Sequence, residues 1–116
     1  MSNNNERRQF ARIYRNFILS HAVKGSQEEF EVSQINDISR GGINFVATRS
    51  ITIGAELSIQ LKTPFLPETI YVEGRVLDVK EKIADLIYDV RVQFTAVSPI
   101  SAEVLQKIED YAAKEM

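Results

Sequence analysis

The sequence predicts an all-β fold with a C-terminal helix, in which six antiparallel strands form a β-barrel. Between residues 17 and 94, short runs alternate apolar and polar side chains, which is the pattern of strands with one buried and one wet face. Turn-forming residues separate these runs. After residue 98, the apolar residues recur at helical spacing instead. Because a sheet of such strands has exposed edges unless it closes, we expect the strands to form a closed barrel.

Each predicted strand is defined by the residues that share its inward face. In chain order these are Phe17, Leu19, His21 and Val23; Phe30, Val32 and Gln34, in a run that reaches Ile38; Ile43, Phe45 and Ala47; Leu57, Ile59 and Leu61; Ile70, Val72, Gly74 and Val76; and Leu86, Tyr88, Val90, Val92 and Phe94. Breaks are expected at Lys24-Gly25-Ser26, at Ser39 to Gly42 and at Pro64. Gly74, inside a strand, predicts the kind of bend that barrel corners require.

The last element is predicted to be an amphipathic helix over residues 99–114. Ser98 is a suitable N-cap, and Pro99 suits the first helical position. The apolar stripe, which we expect to pack on the barrel, consists of Val104, Leu105, Ile108, Tyr111 and Ala112. The chain then divides into a disordered tail (1–5), a flexible arginine-rich arm (6–16), the barrel (17–97) and this helix, with 6–116 as one domain.

Charge is distributed unevenly along the chain. The first fifteen residues hold four arginines and one glutamate, about +3, whereas the remaining residues hold ten cations and fifteen acids, about −5. An acidic body repels the phosphate backbone of a polynucleotide. We therefore expect a compact anionic ligand and no nucleic acid. The sequence also lacks a signal-peptide pattern and an apolar stretch long enough to span a membrane, so we expect a cytoplasmic protein with no membrane insertion.

Catalysis is not indicated by the sequence. It has one histidine, His21, on a strand face, and no cysteine. Asp85 and Asp89, if both lie on one strand, would be about 13 Å apart, too far to share a metal ion. Neither a nucleophile elbow nor a phosphate-binding loop that leads into a helix is present. We therefore predict a protein that is not an enzyme and uses no metal or cofactor.

The first binding motif is the arginine cluster Arg7, Arg8 and Arg12. The planar guanidinium of arginine matches pairs of phosphate oxygens and also the O6 and N7 acceptors of guanine. Lysine cannot perform these planar tasks, and the first fifteen residues contain none. Taken alone, the cluster is equally compatible with an ordinary solvated basic arm.

The second motif is the turn Asp37-Ile38-Ser39-Arg40-Gly41-Gly42. A carboxylate can accept hydrogen bonds from the N1–H and amino group of guanine, and a serine hydroxyl both donates and accepts. The glycines permit positive φ and a close ligand approach. Asp, Ser and Gly are also the usual residues of turns, so this motif alone leaves a purely structural interpretation open.

Together, the two motifs resemble those of the PilZ domain family. That family has R-x-x-x-R near the N-terminus and D/N-x-S-x-x-G some 20 to 30 residues later; here they read Arg8-Gln9-Phe10-Ala11-Arg12 and Asp37 to Gly42. Looser likenesses lie at Glu73–Val76, at Val90–Phe94 and in the closing helix. The resemblance implies a six-stranded antiparallel barrel that binds the bacterial second messenger cyclic di-GMP (c-di-GMP).

By this resemblance, Arg8 and Arg12 would contact phosphate and guanine, and Asp37, Ser39 and Gly42 would hold the other face of a guanine. Arg7 resembles the extra arginine that favours an intercalated ligand pair in relatives, so one or two ligands per protomer are expected. Gly41, inside the turn, is expected to contact the ligand through its backbone. Two further contacts are expected less directly: Arg40 through its backbone, and Arg75 from the predicted fifth strand. Ligand binding would order the arm and create a surface for a downstream protein partner.

Two other functions remain open at this stage. One is a protein-interaction module of the same fold that binds no ligand. The other is a small barrel that binds nucleic acid, although such barrels need aromatic platforms along a basic groove, and this chain has an acidic body and no tryptophan. The sequence leaves monomer and dimer undecided.

Overall fold

The computed structural model describes residues 17–26, 30–64, 67 and 69–115, with the side chains of the final helix described as far as Tyr111. The elements, in chain order, are β1 (Ile18–Val23), β2 (Glu31–Ile38), β3 (Gly42–Ala47), β4 (Glu56–Lys62), β5 (Ile70–Ile83), β6 (Ile87–Val97) and α1 (Pro99–Glu115).

The six strands close into one antiparallel barrel in the order β1-β2-β3-β6-β5-β4. The predicted fold class, a six-stranded antiparallel barrel with a C-terminal helix, is confirmed. Alternation produces this barrel because every second side chain of a strand points inward. Leu19, Phe45, Leu57, Val90 and others are almost fully buried in a single apolar cluster.

Helix α1 packs against the barrel through part of its predicted apolar stripe, whereas Tyr111, which was also predicted in that stripe, is 42% exposed. Val104, Leu105 and Ile108 are buried in the same cluster as the strand residues. Its first turn is capped by Ser98, whose Oγ accepts a hydrogen bond from the Ser101 N–H at 3.2 Å. The helix therefore contributes to the core and stays on the chain's own barrel.

The predicted inward face of β2 was wrong. Val32 and Phe30 are exposed, 73% and 42%, and Gln34 is also exposed. Residues paired directly across antiparallel strands point to the same face, and Leu19 of β1 pairs with Ser33. Ser33 and Ile35 therefore point inward. A bulge at Asn36 shifts the register, so that Ile38 is buried as well.

Gly74 lies where β5 and β6 come very close together. The register between these strands shifts at Glu73/Gly74. A Cβ at Gly74 would overlap Cγ1 of Val92 and lie 2.9 Å from the Gln93 carbonyl oxygen. The glycine is thus needed at this irregularity of the strand pair, in line with the predicted bend.

His21 is a buried histidine inside the barrel. Its side chain is 4% exposed, its Nε2 lies 2.7 Å from the Ser33 Oγ, and its ring centroid is 4.5 Å from that of Phe45. Burial lowers the pKa of His21; the charge of Glu31 raises this pKa by a smaller amount, and the charge of Arg49 lowers it further. The residue is therefore a packed, hydrogen-bonded part of the barrel interior.

Candidate functional site

The turn between β2 and β3 is held in one conformation by its own hydrogen bonds. The Ser39 N–H donates to the Gly42 carbonyl at 2.9 Å, and the Phe94 N–H of β6 donates to the Gly41 carbonyl at 2.9 Å. The Gly41 N–H donates to the Ser39 Oγ at 3.3 Å. A hydroxyl that accepts one hydrogen bond can still donate its own proton. The turn thus presents Ser39 as a donor on a preformed loop.

An open polar hollow of about 470 Å³ lies beside this turn on the outer surface of the barrel. This volume is within the range of small-molecule sites. Four residues predicted from the sequence line it: Asp37, Ser39, Gly41 and Gly42. Its remaining lining comes from β3, β5 and β6, namely Ile43, Asn44, Leu77, Arg91, Val92 and Gln93.

Strand register explains why these residues meet. Asp37 pairs with Asn44, and Asn44 pairs with Arg91, so the three side chains form a row across β2, β3 and β6 on one face. With strands about 4.8 Å apart, Asp37 and Arg91 are roughly 10 Å apart. A carboxylate and a guanidinium therefore flank the hollow on opposite sides.

Asn44, Arg91 and Gln93 were not identified as site residues from the sequence. Their alternation does place them on the wet faces of β3 and β6. Alternation does not show that β3 pairs with β6, because these strands are not consecutive in the chain. A wet-face arginine in the last strand was the available clue, but only the closed topology places it beside the turn.

The two glycines of the turn have different structural roles. Neither has a positive φ; among the described glycines only Gly25 and Gly54 do. One of the two sequence-based reasons for these glycines, a positive φ, was therefore wrong. A Cβ at Gly42 would overlap the Val92 carbonyl oxygen, whereas at Gly41 it would meet nothing within 4 Å. Gly42 permits close pairing with β6, and Gly41 leaves the backbone open to the hollow.

Arg40 and Arg75 lie near the hollow but do not line it. Arg40 turns towards α1, where its Nε is 3.4 Å from Oε2 of Glu109. Arg75 is on the outer face opposite Gln93, and its Nη2 is 3.4 Å from Oε1 of Glu56. Both side chains are more than half exposed, so both guanidinium groups are accessible.

Arg7, Arg8 and Arg12 lie outside the described residues. The structure does place the start of the described chain near the turn. Leu19 pairs with Ser33, and continuing this register puts Phe17 opposite Ile35, two residues before Asp37. Phe17 and Asp37 are then roughly 8–10 Å apart. The described chain therefore begins at the end of the barrel that carries the turn.

A larger groove, of about 770 Å³, lies elsewhere, between Phe30 and Tyr71. Of the described residues that line it, Glu73 alone is charged and none belongs to the Asp37–Gly42 turn, so we favour the smaller hollow as the candidate site. Among the described residues, no three His, Cys, Asp or Glu side chains come close enough to hold a metal ion. Within the same part of the chain, no helix has the length and apolar character that crossing a membrane requires.

Fold and site together define a small closed barrel with its candidate ligand surface on the outside, beside a D-x-S-x-x-G turn. Residues 6–113 match the sequence profile of the PilZ domain. This chain therefore belongs to the PilZ domain family. No curated protein matches the sequence closely enough to count as a relative.

Solved structures of similar fold include three from bacterial proteins. MotI (DgrA), the inhibitor of motility of Bacillus subtilis, has 18% identity and a TM-score of 0.65, over 84% of this chain and 48% of MotI. The PilZ domain of YcgR from Escherichia coli, solved with c-di-GMP, has 15% identity and a TM-score of 0.66, over 87% of this chain and 85% of that one. PlzA of Borreliella burgdorferi, in complex with c-di-GMP, has 14% identity and a TM-score of 0.55, over 99% and 58%. The chain thus spans about half the length of MotI, and these likenesses show the fold.

Proposed function

We propose that this chain is a non-enzymatic receptor for c-di-GMP, which binds in the polar hollow beside the Asp37–Gly42 turn. The observation that carries the proposal is that Asp37, Ser39, Gly41 and Gly42, selected for their chemistry, line one hollow of suitable size. Membership of the PilZ family supports it. So do the c-di-GMP complexes of YcgR and PlzA, which share the fold.

The hollow offers complementary chemistry for a guanine. The Asp37 carboxylate accepts from the N1–H and amino group of the base, and Ser39 donates to a ligand oxygen. Gly41, which has open space where a Cβ would be, lets the ligand approach the backbone. Arg91, on the far side of the row, supplies a guanidinium for a phosphate or for the other edge of the base.

The arginines of residues 6–16 hold the ligand from the opposite side and become ordered as they do so. Phe17 is five positions after Arg12 in the chain, and five fully extended Cα–Cα steps span at most about 18 Å. That reach covers the row from Asp37 to Arg91. Arg8 and Arg12 contact phosphate and guanine, and Arg7 supports a second ligand molecule, so that one or two bind per protomer.

The ordered arm then forms a surface for a downstream protein partner, and the protein acts as a switch in the cytoplasm. This step has a direct test with trypsin, which cleaves after arginine and lysine. Saturating c-di-GMP should slow cleavage within residues 7–15 several-fold and leave cleavage at Lys24, in the β1–β2 turn, unchanged. Equal cleavage rates at all of these sites would contradict ordering of the arm.

Isothermal titration calorimetry with c-di-GMP tests the receptor function itself, with GTP and cyclic di-AMP as controls. We expect saturable binding of one or two c-di-GMP molecules per protomer and none of either control. Absence of c-di-GMP binding would favour the alternative, an interaction module that works without a ligand. Salt-dependent retention of single-stranded DNA or RNA on a filter would favour the nucleic-acid alternative.

A further inference from the structure

A carboxylate from helix α1 contacts the centre of the ligand-binding turn. Oε2 of Glu109 accepts a hydrogen bond from the Arg40 backbone N–H at 3.0 Å, and the same oxygen is 3.4 Å from the Nε of Arg40. Arg40 stands between Ser39 and Gly41, both of which line the hollow. One acidic side chain therefore contacts the main chain and the guanidinium of the same turn residue.

The turn does not depend on this contact for its shape. Hydrogen bonds of Ser39, Gly41 and Phe94 close it independently of α1. Glu109 instead sets the direction of the Arg40 side chain, which points to the helix and away from the hollow. The pair is largely exposed, with side-chain exposures of 64% for Arg40 and 39% for Glu109, so the contact is weak enough to exchange.

We propose that Glu109 competes with the ligand for Arg40, and so lowers the affinity of the hollow for an anionic nucleotide. This inference rests on the proposed function. A c-di-GMP molecule at the turn brings phosphate oxygens close to Arg40, and phosphate and carboxylate seek the same guanidinium geometry.

Competition of this kind makes Glu109 a positioning residue that acts through Arg40. Because coupling between two sites is reciprocal, a ligand that takes Arg40 also weakens the hold of the turn on α1. Occupancy of the hollow is thereby transmitted to the helix. Hydrogen exchange of the α1 peptide that contains Glu109 should accelerate when c-di-GMP binds to the wild type, and should be insensitive to ligand in Glu109→Gln.

The test is calorimetric titration of c-di-GMP into the wild type, Glu109→Gln, Arg40→Ala and the double variant. We expect Glu109→Gln to tighten binding roughly two- to fivefold, the range that release of an exposed ion pair allows. In the Arg40→Ala background, the same Gln substitution should change affinity less than 1.5-fold, about the smallest effect of an exposed ion pair. A merely structural role for Glu109 would not depend on Arg40 in this way.

Glu103→Gln is the matched control, because it removes the same charge from an exposed position of the same helix. It should leave affinity unchanged, and urea unfolding should show that every variant is folded. Unchanged or weaker binding by Glu109→Gln, with a wild type that binds, overturns this inference alone. No binding by the wild type overturns the receptor function together with it.

Discussion

In the proposed site, Asp37 is the described residue expected to contribute most to recognition of a guanine, and Asp37→Ala is the sharpest single perturbation. The side chain is exposed at the edge of the hollow and is one of the predicted residues that line it. Loss of hydrogen bonds to a charged group costs about 1.5–3 kcal/mol. That corresponds to a Kd for c-di-GMP raised roughly 10- to 150-fold.

Asp37→Asn provides a graded comparison. An amide keeps one acceptor oxygen but presents an amino group to a guanine edge that also donates. We therefore expect an affinity between those of the wild type and Asp37→Ala. Both substitutions are at an exposed position, so the free energy of unfolding should change by no more than about 0.5 kcal/mol.

The assay is calorimetric titration, with urea unfolding of each variant as the check on folding. Asp85→Asn is the charge-matched control: Asp85 is exposed in the β5–β6 turn, and its φ of 62° is one that asparagine tolerates. Asp85 lies roughly 25 Å along the hairpin from Gln93, so the Asp85→Asn variant should bind c-di-GMP with wild-type affinity. Affinity of Asp37→Ala within twofold of the wild type would show that this carboxylate does not hold the base.

Three other predictions concern the arm, the turn glycines and the barrel interior. Arg8→Ala and Arg12→Ala should each weaken c-di-GMP binding by about 1–3 kcal/mol, the scale of a bidentate arginine–base contact. If calorimetry shows wild-type affinity in both variants, the arm does not bind the ligand. Gly42→Ala should lower the free energy of unfolding in urea by about 1–3 kcal/mol because its Cβ overlaps β6. Gly41→Ala should change the same free energy by less than about 0.5 kcal/mol. Equal losses of stability in the two variants would contradict the different roles given to these glycines. Burial lowers the pKa of His21 in the folded state, so the native barrel binds fewer protons there than the unfolded chain, and stability should fall as pH drops below about 6.5. The free energy of unfolding of the wild type should fall more between pH 7.5 and pH 5.5 than that of His21→Gln. If the difference between the two free energies stays constant over this range, protonation of His21 is not the cause of the pH dependence.

The inward faces of most strands were predictable from alternation, but the predicted faces were wrong at two strand ends: Val23 is 39% exposed, and Leu86 lies before β6 and is 62% exposed. Leu57, Ile59 and Leu61 are all inward, as their spacing indicates. The face of β2 was not predictable, because the bulge at Asn36 changes the count between Ser33 and Ile38. A bulge is set by the pairing of a strand with its neighbours, and the sequence pattern of one strand carries no information about that pairing.

The candidate site shows the same division between local and long-range information. Asp37, Ser39, Gly41 and Gly42 could be found from their chemistry, since they are close together in the chain. Arg91 and Glu109 could not, because they reach the turn only through the pairing of β3 with β6 and the packing of α1. The local motif can be identified from the sequence, whereas the residues that surround it can be identified only from the strand topology and helix packing.

A crystal structure of the protein with c-di-GMP bound is the most direct test of the central claim, that the turn and the arginine segment grip one ligand. The account predicts a guanine whose Watson–Crick edge is within hydrogen-bonding distance of the Asp37 carboxylate, with Arg8 and Arg12 on the phosphate or Hoogsteen edge of the same molecule. Ligand density in the groove between Phe30 and Tyr71, or a ligand at the turn that neither arginine approaches, would contradict it.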